Sequence, residues 1–376
     1  MKKAKRSSYL WRSLQLLNNI LLKGRYNFEF DLMDVRSQNM PLAKRFNLLR
    51  AGLNLFTMKM SPWSWPLYMQ VELTNYCNLK CKTCPTGNGT LGRKPAAIDL
   101  ALFESFVNEV SPYLLTMSLF AWGESLLHPQ LAEILRLTQN RGVTTFLSTN
   151  GQNLDDPQVQ KALIEYPPSY LIVAIDGITD QTNAAYRTGA KLAPALKGVR
   201  NLAQIKQDRS QQYPILHHRY IIMKHNEHEV SQLPQFSAEN GFDLLTLRTL
   251  SIIDTPDQIS HKKLIPDNQI YRAYDYKDDK LINRTDFICE KPFVNPSLLV
   301  DGTVVACCQD FNGKYPLGTI ADGSSFADVW WSKKANSLRN TMHKNPERFS
   351  MCFNCPYRDR PVNTTSIQRF DLKKYG

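Results

Sequence analysis

The stretch "NYCNLKCKTCPTG", residues 75–87, holds three cysteines within eight positions: Cys77, Cys81 and Cys84. Three thiols do not pair off as disulfides, and a tetrahedral zinc site asks for a fourth ligand. Soft thiolates select zinc, copper(I) or iron–sulfur clusters. A cubane [4Fe–4S] cluster normally takes four cysteines, so three from one loop leave one iron open to a substrate or cofactor. The loop suits that task. Asn75 and Asn78 favour turns, Gly87 and Gly89 loosen its exit, and Lys80 and Lys82 offset cluster charge. Zinc completed by a distant ligand, or reduced core thiols, is the competing reading.

A second set is formed by Cys289, Cys307, Cys352 and Cys355, with gaps of 17, 44 and 2 residues. Taken alone, four cysteines ending in Cys-x2-Cys read as structural zinc or as a closed four-thiolate cluster. Cys308 is left over, as an alternative ligand, a buried thiol or neither.

A regular framework must hold these residues. From residue 67, β-branched-rich segments alternate with helical patterns. The expected strands are 67–73, 115–122, 143–149, 170–175, 218–224 and 243–250. The expected helices are 99–110 with Asp99 as N-cap, 129–142 from Pro129 to Gly142, 156–165, 192–207 and 228–240. Six such units favour a parallel sheet with right-handed crossovers and suit an α/β partial barrel, with a doubly wound open sheet as runner-up. Either way the chemistry belongs at the carboxyl ends of the strands. The unusual residues gather there: the cysteine loop, "WGES" (122–125), "STNG" (148–151), "DG" (176–177) and "KHN" (224–226).

The organisation expected is a basic helical N-terminal extension (1–66), a barrel (67–255), a linker (256–285), a second cysteine-bearing unit (286–360) and a C-terminal tail (361–376). In the second unit "PSLLVDGTVVACC" reads as a β-hairpin turning at Asp301-Gly302.

The chain has 376 residues and a net charge of +12. Residues 1–66 carry twelve Lys and Arg against Glu29, Asp31 and Asp34, so most of the excess sits there. Leu10, Leu14, Leu17 and Leu21 share one helical face, and "LAKRFNLLRAGLNLF" repeats the theme. Such helices either pack on the barrel or lie against anionic lipid or a partner protein. No apolar run of about 18 residues and no export signal occurs, which points to the cytoplasm or, at most, to its membrane surface. No RNA-binding motif or stacking platform is visible, so nucleic acid is not expected.

"CNLKCKTC", Cys-x3-Cys-x2-Cys after a first strand, resembles the signature of the radical S-adenosylmethionine (SAM) superfamily. The resemblance implies that Cys77, Cys81 and Cys84 bind a [4Fe–4S] cluster whose open iron chelates SAM. It also implies reductive cleavage of SAM to a 5′-deoxyadenosyl radical, with electrons from a flavodoxin- or ferredoxin-type reductant. "WGES" resembles the family's Gly-Gly-Glu motif, which assigns Gly123 and Glu124 to the SAM amino group. "STNG" resembles the ribose-contacting segment and assigns Ser148 and Asn150. "AIDG" and "AAYRTG" likewise assign Asp176 and Arg187 to SAM, Arg187 at its carboxylate. Thr83, Trp122 and Ala174 depart from the residues common at their places. The second unit, whose "GTVVAC" reads Gly-x4-Cys, resembles the twitch form of the SPASM domain. That implies one auxiliary [4Fe–4S] cluster on Cys289, Cys307, Cys352 and Cys355. Its spacing is most similar to that of the family's aminocyclitol dehydrogenases.

The implied function is a radical SAM oxidoreductase acting on a sugar- or cyclitol-type alcohol, with the auxiliary cluster as electron acceptor. The alternatives are a peptide maturase of the same family and a non-catalytic iron–sulfur carrier or scaffold. His217, His218, Arg219 and Tyr186 are further pocket candidates.

Overall fold

The computed structural model describes residues 14–252, 263–273, 276–277, 280–281, 289–353, 355, 357 and 365–375. Half of the linker expected over 256–285 lies outside them. Ahead of the barrel, β1 (Tyr26–Phe30) and β2 (Met33–Ser37) form an antiparallel hairpin, followed by α1 (Leu42–Thr57). The barrel then runs through β3 (Tyr68–Val71), β4 (Lys80–Cys81), α2 (Leu100–Val110), β5 (Thr116–Ser118) and α3 (Leu131–Thr138). It continues with β6 (Thr144–Thr149), α4 (Pro157–Glu165), β7 (Tyr170–Ala174), α5 (Asp180–Tyr186) and β8 (Arg187–Thr188). Next come α6 (Leu192–Asp208), β9 (Ile215–Ile222), α7 (Leu233–Glu239) and β10 (Leu244–Thr249). The second unit contributes β11 (Ser297–Leu298), β12 (Thr303–Val305), β13 (Pro316–Thr319), α8 (Phe326–Trp330) and α9 (Lys333–Lys344). The last strand among the described residues is β14 (Ser366–Asp371), followed by a 3-10 turn at Leu372–Lys374.

Six parallel strands, β3, β5, β6, β7, β9 and β10, lie side by side in chain order. This is the partial (β/α)6 barrel, and not the doubly wound sheet, whose strand order would reverse. Helices α2 and α4 start where the sequence supplies a capping aspartate. Asp99 accepts from Leu102 N at 2.9 Å, and Asp156 accepts from the amides of Gln158 and Val159. Along each strand alternate side chains point out to the helices, and Met69, Val71, Leu147, Leu171, Tyr220 and Leu245 are buried there. Each such burial contributes about 2 kcal/mol.

The sheet is ten strands wide. β11 runs parallel to β3, and the hairpin β11–β12 turns at Asp301-Gly302 with Gly302 at φ +79°. The second unit therefore extends the sheet that carries the first cysteine loop. Buried Glu72, just after β3, reinforces the join: it pairs with Arg93 at 2.6 Å and accepts from Val300 N.

Two segments depart from the sequence reading. The N-terminal extension is not helical throughout, because residues 26–37 form the hairpin β1–β2. Its Phe28, Phe30, Met33 and Val35 pack against Phe146, Tyr170, Ile172 and Leu244, filling the barrel at the amino-terminal half of its strands. Its two-residue turn, Asp31-Leu32, takes positive φ at both positions (53° and 61°) without a glycine, so the usual hairpin signal is missing. The second departure is the C-terminal tail, which pairs antiparallel with β10 as β14 and covers that edge of the sheet.

On β9, His217 and His218 are both fully buried in the barrel wall and do not line the cavity described below. His218 bonds Ser237 Oγ at 2.7 Å and the Ile175 carbonyl at 3.0 Å, and burial lowers its pKa to about 4. A histidine held neutral in the fold gains protons on unfolding, so its contribution is present above pH 6.5 and is lost as pH falls towards 4. Between pH 7.5 and 5 urea unfolding should register a loss of about 2 kcal/mol from this residue. A His218→Gln variant should lack that share of the pH dependence. Equal pH dependence in the two proteins would remove the assignment.

Candidate active site

Cys77, Cys81 and Cys84 lie on the loop after β3, at the carboxyl end of the barrel strands. Cys81 belongs to β4, which pairs with β8 so that Cys81 stands opposite Arg187. The loop is pinned again where Thr83 Oγ1 and the Tyr186 hydroxyl share a hydrogen bond of 2.7 Å. A Cβ on Gly87 would meet the Cys81 backbone at 2.5 Å, so only glycine permits this tight return. Burial pushes the Cys77 thiol up to about 11 and the Cys81 thiol up to about 12. Thiols in such surroundings become thiolates when a metal supplies positive charge.

The other motif residues converge on the same loop. Gly123 lets the chain pass so close to Thr74 that a Cβ would collide with the Thr74 carbonyl. Glu124 N donates to the Tyr76 carbonyl at 2.9 Å, and the Glu124 carboxylate accepts from Leu126 N at 3.1 Å and Asn150 N at 2.7 Å. Glu124 thereby ties the ends of β5 and β6 together as well as lining the cavity. Burial raises its carboxyl pKa, opposed by the bonds from Asn150 and Leu126. Asn150 Nδ2 reaches Cys77 Sγ at 3.5 Å and Asn78 Oδ1 at 2.8 Å.

Arg187 lines the cavity. Burial works against its charge, but the Asp176 carboxylate 2.7 Å from its Nε raises its pKa. Asp176 itself does not reach the cavity. It lies behind Arg187, fully buried, and accepts from Ile221 N at 2.7 Å. Its placement is that of a residue orienting Arg187, in contrast to the direct contact the motif suggested.

A single cavity of about 590 Å³ takes in all three loop cysteines with Gly123, Glu124, Ser148, Asn150 and Arg187. Its remaining wall includes Gln70, Arg219, Arg248, Asn295, Gln309 and Tyr357. Of the further candidates, Arg219 and Tyr186 line it too. The tip of the β1–β2 hairpin, residues 29–32, forms part of the same wall. There Asp31 pairs with Arg219 at 2.9 Å and Arg248 at 3.7 Å, and it accepts from Ser366 Oγ at 2.7 Å. Arg248 was legible as an inward residue, since alternation along "DLLTLRTL" puts it on the face of Leu244 and Thr246. Nothing in the sequence marks Asp31 as its partner.

The second cysteine set approaches the cavity from the side. Burial, helped by neighbouring Cys355, raises the Cys289 thiol to about 12. Cys307 and Cys308 share a hydrogen bond that raises the first and lowers the second to about 6. Cys352 is half-buried on the turn at 350–353. Cys308 lines the cavity, and its carbonyl accepts from Trp122 Nε1 at 2.9 Å. Trp122, the odd residue of the "WGES" motif, thus couples that motif to the second unit. Among the described residues no three His, Cys, Asp or Glu form a ligand set for a single metal ion. Three thiols along a cavity wall, with room beside them, fit a multi-iron group whose ligands stand further apart.

Residues 71–236 match the family model of the radical SAM superfamily, and residues 289–356 match that of an iron–sulfur cluster-binding domain, SPASM. The tungsten-containing aldehyde ferredoxin oxidoreductase cofactor-modifying protein of Pyrococcus furiosus is 22% identical, over 80% of this chain and 90% of its own. The mycofactocin maturase MftC of Mycobacterium ulcerans is 22% identical, over 78% of this chain and 81% of its own. In fold, the chain is similar to Streptococcus suis SuiB bound to S-adenosylmethionine. That match has a TM-score of 0.60 and 14% identity, and covers 95% of this chain and 83% of the other. The cofactors are accordingly a [4Fe–4S] cluster used with SAM and an auxiliary cluster in the C-terminal unit. The chain belongs to the radical SAM superfamily and carries a SPASM iron–sulfur domain behind its barrel.

Proposed function

We propose that this enzyme oxidises an alcohol carbon of a small, sugar- or cyclitol-like molecule by removing a hydrogen atom from it. The observation that carries the reading is the cavity. At about 590 Å³ it has to take both SAM and the substrate, and its wall away from the cysteines is rich in hydrogen-bonding groups. Hydroxyl-rich molecules match such a wall, because each buried polar group then finds a partner.

When bound, the reduced cluster and SAM supply a 5′-deoxyadenosyl radical as hydrogen-atom acceptor. Cys77, Cys81 and Cys84 would hold that cluster. Glu124 would accept from the SAM ammonium, Ser148 and Asn150 would meet the ribose hydroxyls, and Arg187, steadied by Asp176, would pair with the carboxylate. Cys289, Cys307, Cys352 and Cys355 would hold the auxiliary cluster, whose chemistry is one-electron acceptance. Oxidation to a carbonyl removes a hydrogen atom, a proton and an electron, so an acceptor beside the cavity is chemically apt. Gln70, Asn295 and Gln309 would orient the substrate. Phe120 and Ile221 keep part of the wall apolar and limit water near the reacting carbon.

A second reading, maturation of a peptide or peptide-derived cofactor, draws support from the relatives: mycofactocin maturase is similar over about four-fifths of either chain. One experiment separates the two. The holoenzyme is incubated anaerobically with SAM and dithionite, and with either a panel of cyclitols and sugars or a panel of precursor peptides. The alcohol reading expects 5′-deoxyadenosine formation stimulated by a polyol, deuterium transfer from its carbinol carbon, and a product lighter by two hydrogens. Stimulation by peptides alone would replace it with the maturase reading.

A further inference from the structure

Helix α1 is built inside out. Its buried side carries Lys44, Asn47 and Asn54 beside Leu48 and Ala51. Most of the polar groups there are used: Lys44 Nζ donates to the Gly142 carbonyl, Asn47 Nδ2 to the Trp65 and Tyr113 carbonyls, and Asn54 Oδ1 accepts from Trp63 N, while Asn54 Nδ2 has no partner. The opposite side carries Leu42, Phe46, Leu53 and Phe56, which are 62%, 51%, 51% and 88% exposed. At 100° per residue these four fall within about 80° of one another, a continuous apolar stripe along the helix.

The anomaly is regional. Among the described residues twelve large apolar side chains are exposed, and nine of them lie between Leu14 and Trp63. Leu14, Leu17 and Leu22 belong to the helical segment 14–21 and its end, just before the hairpin. Scattered exposed apolar residues are ordinary, whereas a clustered set marks a surface that is covered in use. Residues 14–63 hold seven Lys and Arg against three acidic residues, and two of those, Asp31 and Asp34, are already paired with Arg219 and Arg369. Lys23, Arg50 and Lys59 are exposed among the apolar side chains. Lys59 lies over the half-exposed Trp63 at 4.2 Å, an aromatic suited to the water–hydrocarbon boundary.

We propose that the outer face of residues 14–63 docks the enzyme on an anionic lipid surface. The apolar stripe enters the headgroup boundary and the basic residues meet lipid phosphates. No helix among the described residues is long and apolar enough to cross a membrane, so the contact is peripheral. The face is separate from the residues assigned to SAM, and the inference does not depend on which substrate is oxidised.

The test is flotation of the full-length holoenzyme with vesicles of phosphatidylcholine alone or with about one third phosphatidylglycerol. The bound fraction should rise about tenfold or more on the anionic vesicles and fall at high salt. A Phe46→Ser/Phe56→Ser variant should lose about tenfold in vesicle binding while keeping wild-type iron content and SAM cleavage. Equal binding to both vesicle types, or no binding, overturns the proposal. So does unchanged anionic binding in the double variant, which would assign attachment to charge alone. A wild-type dimer that the double variant converts to monomer, without lipid binding, assigns the face to a second copy of the chain and also overturns it.

Discussion

Replacing Cys81 by alanine should abolish 5′-deoxyadenosine release, by at least about a thousandfold, and lower iron from about eight to about four per chain. The size of the effect follows from its position. Cys81 is buried in β4, opposite Arg187, so its loss removes one of three thiolates and disturbs the strand pair that fixes that arginine. With two cysteines left in the loop, a cluster held there would lack one of its three protein anchors. The auxiliary iron should survive, because its cysteines belong to a different unit. Conversely, a Cys352→Ala/Cys355→Ala variant should lose the other four irons. Anaerobic iron analysis and chromatography of the nucleoside products are sufficient. Full iron content or continued SAM cleavage in Cys81→Ala would mean that this thiol is not a ligand.

Asp31→Asn should release the β1–β2 hairpin from the barrel. Arg219 is only 5% exposed, and Asp31 is the carboxylate bonded to it, with Arg248 nearby. Neutralising one partner of a buried pair leaves the other charge uncompensated and costs about 3 kcal/mol. The turn has little to offset that loss, since Leu32 already sits at a positive φ that a leucine disfavours. About 3 kcal/mol corresponds to roughly a hundredfold more open hairpin. Trypsin should therefore cut at the exposed Arg25 and Arg36, on either side of the tip, about a hundredfold faster than in the wild type. Substrate turnover should fall, because the tip forms part of the cavity wall, while SAM cleavage without substrate continues. Unchanged proteolysis would show that apolar packing on Phe146 and Ile172 holds the hairpin without the ion pair.

The sequence by itself located the barrel and the residues that line one end of its cavity. Alternating β-branched segments and capped helices located all six parallel strands, since each carries its own periodicity. Cys77, Cys81, Cys84, Glu124 and Asn150 were legible because their spacing in a short loop, or their place at a strand end, is local information. The tertiary structure decided what faces them. It put Asp176 behind Arg187, turned Trp122 towards Cys308, and brought Asp31 and Ser366 together across the chain at Arg219. It also exposed the apolar side of α1, which a helical-periodicity argument would have turned inward. The physical reason is the same in each case. These placements are settled by ion pairs and hydrogen bonds between residues far apart in the chain, and the energy of such pairs leaves no period in the sequence.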